Sequence, residues 1–207
     1  MSLTPKRSRP RRAIQRGFTL AEMLAVIAMI SILAVAASPV FVSMMRDRRV
    51  NRAAFQLVDM MRGARMRAIG RNLPVQIAWD VNGGHQKLAT GLLTMSEPVV
   101  TAFANASSCL GTFVPGSPAV VQELTRFDIG NGLYENAEVK LFDANGVEQN
   151  AASICFSGRG GTYITVGGIA ARLAGPVTFT VTNKNGNVTG LVRRVFVPPN
   201  GAARIAL

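Results

Sequence analysis

One carboxylate, that of Glu22, lies inside an otherwise apolar stretch of the sequence. From Phe18 to Met45 it is the sole ionisable side chain. A charge in hydrocarbon is costly without a partner, and an amine is the natural partner for a carboxylate. A cut after Gly17 would give Phe18 a new α-amino group, four residues before Glu22. Residues at this spacing share a helix face, and the same amine of a neighbouring subunit could also reach the carboxylate.

The residues around Glu22 resemble the N-terminus of the type IV prepilin family. Gly17 matches the glycine before the prepilin peptidase cut, and Phe18 matches the first mature residue, which becomes N-methylated. Glu22 matches the glutamate early in the mature helix, and Pro39 matches a proline that kinks it. The resemblance therefore implies cleavage between Gly17 and Phe18, methylation of Phe18, and an assembly role for Glu22.

Two other interpretations of the N-terminus stay open. The basic residues of positions 1–17 followed by an apolar run also describe a secretory signal, with Ala34-Val35-Ala36 as its cleavage site. The segment from Phe18 to Ser38 would be about 31 Å long as a helix, enough for a plain membrane anchor. A simple signal gains nothing from Glu22, so the pattern favours a prepilin. The basic leader would stay in the cytoplasm, which places the rest across the membrane.

The formal net charge of +12 is distributed unevenly along the chain. Residues 1–17 hold six of the 23 Lys and Arg and no acid, which leaves 17 basic against 11 acidic residues. Residues 46–71 hold eight Arg and two Asp, so the remainder is close to neutral. Aromatic residues that could stack on bases are few. A DNA contact is therefore not favoured, and it would draw on the Arg of residues 46–71 or on Arg193, Arg194 and Arg204.

The pattern predicts a helix that continues beyond the membrane. An apolar stripe at helical spacing runs through Val50, Ala54, Leu57, Met61, Ala64 and Ala68. Arg48, Arg49, Arg52, Arg62 and Arg67 fall away from this stripe, on a face for solvent or partners. Pro74 cannot continue the helix, which is expected to end near Arg71. The expected segments are a leader (1–17), a transmembrane and assembly helix (18–45), its amphipathic continuation (46–73) and a globular β-rich domain (74–207).

Alternation of apolar and polar residues predicts strands after Pro74. The first is Val75 to Asp80, followed by a turn at Asn82-Gly83-Gly84 and a returning strand from Lys87 to Met95. Ser96 to Pro118 is expected to be mostly loop. Further strands are predicted at 120–124, 138–142, 153–156, 177–182, 190–197 and 203–207. The fold class is α+β, with a long N-terminal helix packed on a C-terminal antiparallel β-sheet domain.

Cys109 and Cys155 are the two cysteines of the sequence. An even pair in an exported segment is typical of a disulfide, because disulfides persist outside the cytoplasm. Two buried free thiols are the alternative, since the sequence does not give the distance between them.

The second half of the helix narrows the resemblance to the GspH/FimT minor pilins and pseudopilins. A helix rich in Leu, Ala and Arg ends in Arg71-Asn72-Leu73-Pro74-Val75, and a Phe-x-x-x-Gly turn follows at Phe156–Gly160. The resemblance implies a structural subunit of a type II secretion pseudopilus or a type IV pilus, with a DNA-binding minor pilin as the alternative. Its partners would be other pilins, prepilin peptidase and the bacterial inner membrane, with the globular domain in the periplasm.

Residues suited to catalysis are scarce in this sequence. The one histidine, His85, lies in a glycine-flanked turn, where a solvated polar side chain is the ordinary interpretation. Phosphate loops, nucleophile elbows and Cys-x-x-Cys pairs do not occur in the sequence. We expect no enzyme activity, no cofactor, no metal and no small-molecule substrate.

Overall fold

The computed structural model of the protein describes residues 18–83, 91–99, 109, 121–129, 131–134, 137–184 and 191–206. A single long helix, α1 (Leu20–Arg71), precedes the strands. The strands are β1 (Val75–Asp80), β2 (Leu92–Pro98), β3 (Val121–Asp128), β4 (Ala137–Phe142), β5 (Glu148–Gln149), β6 (Ala151–Phe156), β7 (Thr162–Val166), β8 (Ile169–Arg172), β9 (Val177–Asn183), β10 (Arg193–Val197) and β11 (Arg204–Ala206). A 3₁₀ turn at Gly132–Tyr134 precedes β4. The chain divides between Phe41 and Val42 into two compact units.

The described residues of the first unit form an exposed apolar helix. Every residue from Phe18 to Phe41 is exposed, and the helix is long and apolar enough to cross a membrane. The hydroxyl of Ser31 donates to the Ile27 carbonyl at 2.8 Å. The hydroxyl thus has a hydrogen-bond partner within the helix, which lipid would not provide. This unit therefore has the physical character of a membrane-spanning segment.

The second unit contains two antiparallel sheets. The larger sheet has the strand order β3-β2-β1-β6-β7-β8, and the smaller has the order β11-β10-β9-β4-β5. Trp79 on β1 meets Phe179 on β9 edge to face, with ring centroids 6.2 Å apart, so the two sheets share a core. The Trp79 indole nitrogen donates to the Gln149 carbonyl of β5 at 3.0 Å. The expected α+β class, with one long helix and an antiparallel sheet domain, is confirmed.

The helix buries one face in this core, as its sequence pattern predicts. All six residues of the predicted stripe are buried, together with Ala53, Val58 and Met60. Four of these nine side chains are alanines, which let the sheets approach the helix closely. The inward residues of the strands alternate with outward ones, as at Val139 and Leu141 on β4. Burial of this apolar surface is what stabilises the unit.

The helix ends at Arg71, as predicted, through a left-handed residue. Asn72 has a φ of 51°, and the amide of Leu73 donates to the Ala68 carbonyl at 3.1 Å. This is a Schellman motif, which satisfies carbonyls that the last turn leaves open. A Cβ on Gly158 would lie 2.7 Å from the Asn72 backbone, so the turn after β6 must present a glycine to this helix end.

Arginines of the helix hold parts of the sheet domain in place. Arg62 and Arg65 donate to the carbonyls of Ala203 (2.9 Å) and Gly201 (3.0 Å), just before β11. Arg67 donates to both carboxylate oxygens of Glu97 on β2, at 2.6 and 2.8 Å. Arg62 is exposed, as expected, whereas Arg67 is half-buried against Glu97 instead of facing solvent or partners. Their long side chains reach around the helix to polar groups at its edges.

Several strand boundaries differ from the sequence-based expectation. Ser96 to Pro98 belong to β2 rather than to a loop, with a register shift after Met95 that accommodates the change of pattern. The hairpin of β7 and β8 was not predicted, although Gly167 and Gly168 both have the positive φ that a tight hairpin turn requires. The start of the predicted strand at Lys87, and His85, lie outside the described residues.

The contact of Glu97 with Arg67 predicts an acid-sensitive stability. The Glu97 side chain is only 5% exposed, and its hydrogen bond from Arg67 holds the pKa of the carboxyl below its usual value of 4.5. A lowered pKa in the folded state stabilises the fold above pH 4.5 and ceases to do so as the pH falls through the folded-state value.

We expect Glu97→Gln to lower the unfolding free energy of residues 42–207 by about 2 kcal/mol at pH 7. The loss should shrink as the pH falls below 4.5, because the wild type then loses the stability that the lowered pKa of Glu97 contributes. Urea unfolding at pH 7 and pH 3 measures this difference. The control is Glu123→Gln, an exposed carboxylate on the neighbouring strand β3. An equal loss in both variants, or a loss independent of pH, would contradict the account.

Candidate functional site

The carboxylate of Glu22 caps the start of α1. Its Oε2 atom accepts from the Thr19 amide at 2.9 Å and from the Thr19 hydroxyl at 3.0 Å. In return, the Glu22 amide donates to the Thr19 hydroxyl at 3.2 Å. This is a capping box, in which a Thr and a Glu three residues later satisfy each other's open backbone groups. It fixes the carboxylate at the first turn, beside Phe18.

Thr19 is the residue of this site that the sequence analysis missed. The Thr-x-x-Glu spacing is a known signal for a helix start, and here it coincides with the apolar run. Phe18 is the first described residue and is 78% exposed, and Gly17 lies outside the described residues. Thr19 therefore joins Phe18 and Glu22 as a member of one local site.

Pro39 lies inside α1, and a hydroxyl compensates for its missing amide hydrogen. A proline in a helix cannot donate to the carbonyl four residues earlier, which here is that of Val35. The Ser38 hydroxyl donates to that carbonyl at 3.1 Å. The backbone of an apolar helix is thus kept hydrogen-bonded at the proline, as a membrane would require. The kink at Pro39 stays a prediction.

Cys109 and Cys155 are joined by a disulfide in the structure. Their Cα atoms are 5.8 Å apart, across a sequence separation of 46 residues. Cys155 lies on the central strand β6, so the bridge attaches Cys109 to the middle of the larger sheet. Both residues are at most 5% exposed. The bridge connects distant parts of one domain and supplies no reactive thiol.

The three arginines considered for DNA do not form one surface. Arg193 donates to the Asn51 side chain of α1 at 2.7 Å, so it lies on the helix side of the smaller sheet. Arg194 and Arg204 point to the opposite face, because Arg204 lies across from Phe196 and Phe196 is two residues from Arg194. The structure therefore brings together Arg194 and Arg204 and separates Arg193 from them.

The comparison with protein families concerns the N-terminal site. A family model described as the prokaryotic N-terminal methylation motif matches residues 12–38, a range that includes Gly17, Phe18 and Glu22. The chain thus carries the N-terminal segment of a prepilin-like protein, which confirms the resemblance there.

A solved structure also resembles this chain. It is the type IV minor pilin FimU of Pseudomonas aeruginosa strain PAO1, at 17% identity and a TM-score of 0.45. The match covers 77% of this chain and 90% of that one. The likeness is distant, both in sequence and in superposition. The comparison with curated protein sequences finds no match.

Proposed function

We propose that this chain is a minor pilin or pseudopilin, a structural subunit that is cleaved and then packed into a helical filament. The observation that carries the proposal is the carboxylate of Glu22 in an exposed apolar helix, at a place that the methylation motif covers. Prepilin peptidase would cut after Gly17, and the new α-amino group of Phe18 would be methylated. The chain would wait in the inner membrane, with residues 46–207 in the periplasm.

The capping box suggests how Glu22 serves both states. Before assembly, Thr19 supplies two donors to one oxygen of the carboxylate, which lowers the cost of its place at the membrane. A carboxylate has several acceptor sites, so it can keep these bonds and still accept from an amine. In a filament that amine would come from Phe18 of a neighbouring subunit. Uncut chains lack the amine, and their leader charges hold them at the cytoplasmic face.

Two kinds of filament could contain this subunit, a type II secretion pseudopilus and a type IV pilus. Both use the same cleavage and the same helix packing, so the Glu22 site fits each of them. We also propose that the subunit lies at the tip of the filament, because minor pilins and pseudopilins are minor components of their filaments. The genes beside this one would discriminate between the two systems.

DNA capture is the second candidate function, and one observation favours it. On the outer face of the smaller sheet, Phe142, Thr178 and Phe196 lie in one cross-strand row, with Arg194 beside them. Arg204 lies directly across from Phe196. Arginines that neighbour aromatic rings suit phosphates and stacked bases. The patch is small, and Lys140 on the same face is already paired with Glu148 at 3.2 Å.

We expect Gly17→Ala and Glu22→Ala each to reduce incorporation into filaments to less than about a tenth of the wild-type level. The first removes the cut and the second removes the charge pair, and a loss of only 1.4 kcal/mol changes an equilibrium about tenfold. Immunoblotting of sheared filaments against the membrane fraction measures incorporation. The control is Ser31→Ala, a polar residue of the same helix whose hydroxyl donates to the Ile27 carbonyl of its own turn. Normal incorporation of either variant would remove the mechanism.

For DNA we expect weak retardation of duplex DNA by residues 46–207, and only at low salt. If the outer face does bind, Arg194→Ala or Arg204→Ala should each reduce the slope of log affinity against log salt by about one unit. Arg193→Ala is the matched control, since Arg193 is bonded to Asn51. Submicromolar binding at physiological salt would place DNA capture above the purely structural function.

A further inference from the structure

A groove lies on the outer face of the smaller sheet. It is lined by Phe142, Thr178, Thr180, Arg194 and Phe196, and its volume is about 290 Å³. Thr178, on the central strand β9, lies across from Phe142 on β4 and from Phe196 on β10. Because threonine is shorter than phenylalanine, this row is low over β9 and high on both sides. The two phenylalanines therefore form the sides of the groove, and β9 forms its floor.

The polar groups of the groove are available to a ligand. Thr178 and Thr180 are half-buried, and Arg194, which lies across from Thr180, is exposed. Within the part of the chain that the structure describes, none of these three side chains makes a hydrogen bond or an ion pair. A hydroxyl both donates and accepts, and a guanidinium group offers five donors. The groove thus combines two aromatic rings with unused hydroxyls and one unused cation.

The charges of this face favour a ligand with a single negative group. Arg194 and Arg204 are exposed, and neither is in an ion pair of the described residues. On the other side of the groove, Lys140 is paired with Glu148 at 3.2 Å. Glu138 lies two residues before Lys140 on β4, and so on the same face. The positive charge is therefore confined to the β10 side, and a long polyanion would also meet the two glutamates.

A sugar ring with a carboxylate would use all of these groups. The C–H faces of a saturated ring are apolar, and they can pack against the phenylalanine rings. Sugar hydroxyls match threonine hydroxyls, because each can donate and accept. A carboxylate suits Arg194, since a guanidinium group binds it through two parallel hydrogen bonds. A flat base would use the rings and a peptide carboxylate would use the arginine, but neither carries several hydroxyls for Thr178 and Thr180.

We propose that this groove binds a hexuronic acid residue, such as one unit of an acidic polysaccharide. The sugar ring lies between Phe142 and Phe196, its hydroxyls bond to Thr178 and Thr180, and its carboxylate pairs with Arg194. The volume of about 290 Å³ is near the lower limit of small-molecule sites, which suits a single sugar residue. The subunit would then recognise acidic polysaccharide, a function beyond its place in a filament. All the lining residues belong to the second unit.

The test measures sugar binding to the full-length protein by saturation-transfer NMR, in a detergent that has no sugar headgroup. The ligand is methyl β-glucuronide, and methyl β-glucoside, which lacks the carboxylate, is the matched comparison. A ligand of this size should bind with a dissociation constant of about 1 mM. We expect the neutral glucoside to bind about tenfold more weakly, because it cannot pair with Arg194.

Three substitutions separate the contributions of the groove. Arg194→Gln should weaken glucuronide binding about tenfold, to the level of the neutral sugar. Thr178→Val keeps the branched shape and removes the hydroxyl, and Phe196→Leu keeps an apolar side chain and removes the ring. Each of these two should weaken glucuronide binding about fivefold. The matched controls, Thr165→Val on β7 and Arg172→Gln on β8, should leave it unchanged.

Several results would overturn the proposal. They are an absence of glucuronide binding well above the expected dissociation constant, equal binding of the two sugars, and equal losses in the groove variants and the controls. Acetate bound as tightly as glucuronide would show a plain anion site and would also overturn it. So would a short oligonucleotide that displaces glucuronide at lower concentration, which would assign the groove to nucleic acid. Because binding is measured without filaments, this proposal and the proposed pilin function can fail separately.

Discussion

A single carboxylate in an apolar helix is the constraint on which this molecule depends. Glu22 is costly in hydrocarbon, so its environment must supply donors at each stage. Within one chain, Thr19 supplies an amide and a hydroxyl. A cleaved neighbour would supply a methylated amine, which is a stronger partner because it is charged. Under the proposed function the same group would be tolerated in the membrane and favoured in an assembly, and this difference would drive assembly in one direction.

The rest of the helix is packed into the sheet domain. Its second half buries nine side chains in the core of the two sheets. Arg62, Arg65 and Arg67 then bind polar groups at both sides of that contact. These bonds make the helix an integral part of the domain.

Much of this arrangement could be predicted from the sequence, because it depends on the spacing of residues close together in the chain. The helix stripe, the stop before Pro74 and the alternation of Val75, Ile77 and Trp79 each follow from backbone geometry alone. The hairpin of β7 and β8 was missed because most residues of β7 are half-buried, most of β8 are exposed, and neither strand alternates strictly. Local spacing also cannot give contacts across the chain, such as those of Arg67 with Glu97 and of Arg193 with Asn51.

The residues considered for function divide in the same way, into contacts between residues close in the sequence and contacts between residues far apart in it. Phe18 and Glu22 were identified from their order in the chain, and Thr19 was within reach of the same reasoning. The separation of Arg193 from Arg194 and Arg204 needed the fold, since Arg193 is bonded to Asn51, 142 residues earlier in the chain. Mutual placement of distant residues depends on the packing of both sheets, which no local pattern encodes.

Mass spectrometry of the N-terminal peptide, from protein isolated from its native membrane, tests the central claim most directly. We predict a chain that begins at Phe18 with a methylated α-nitrogen, because only that cut gives Glu22 its amine. A chain that keeps residues 1–17, or one that begins after Ala36, would contradict the account.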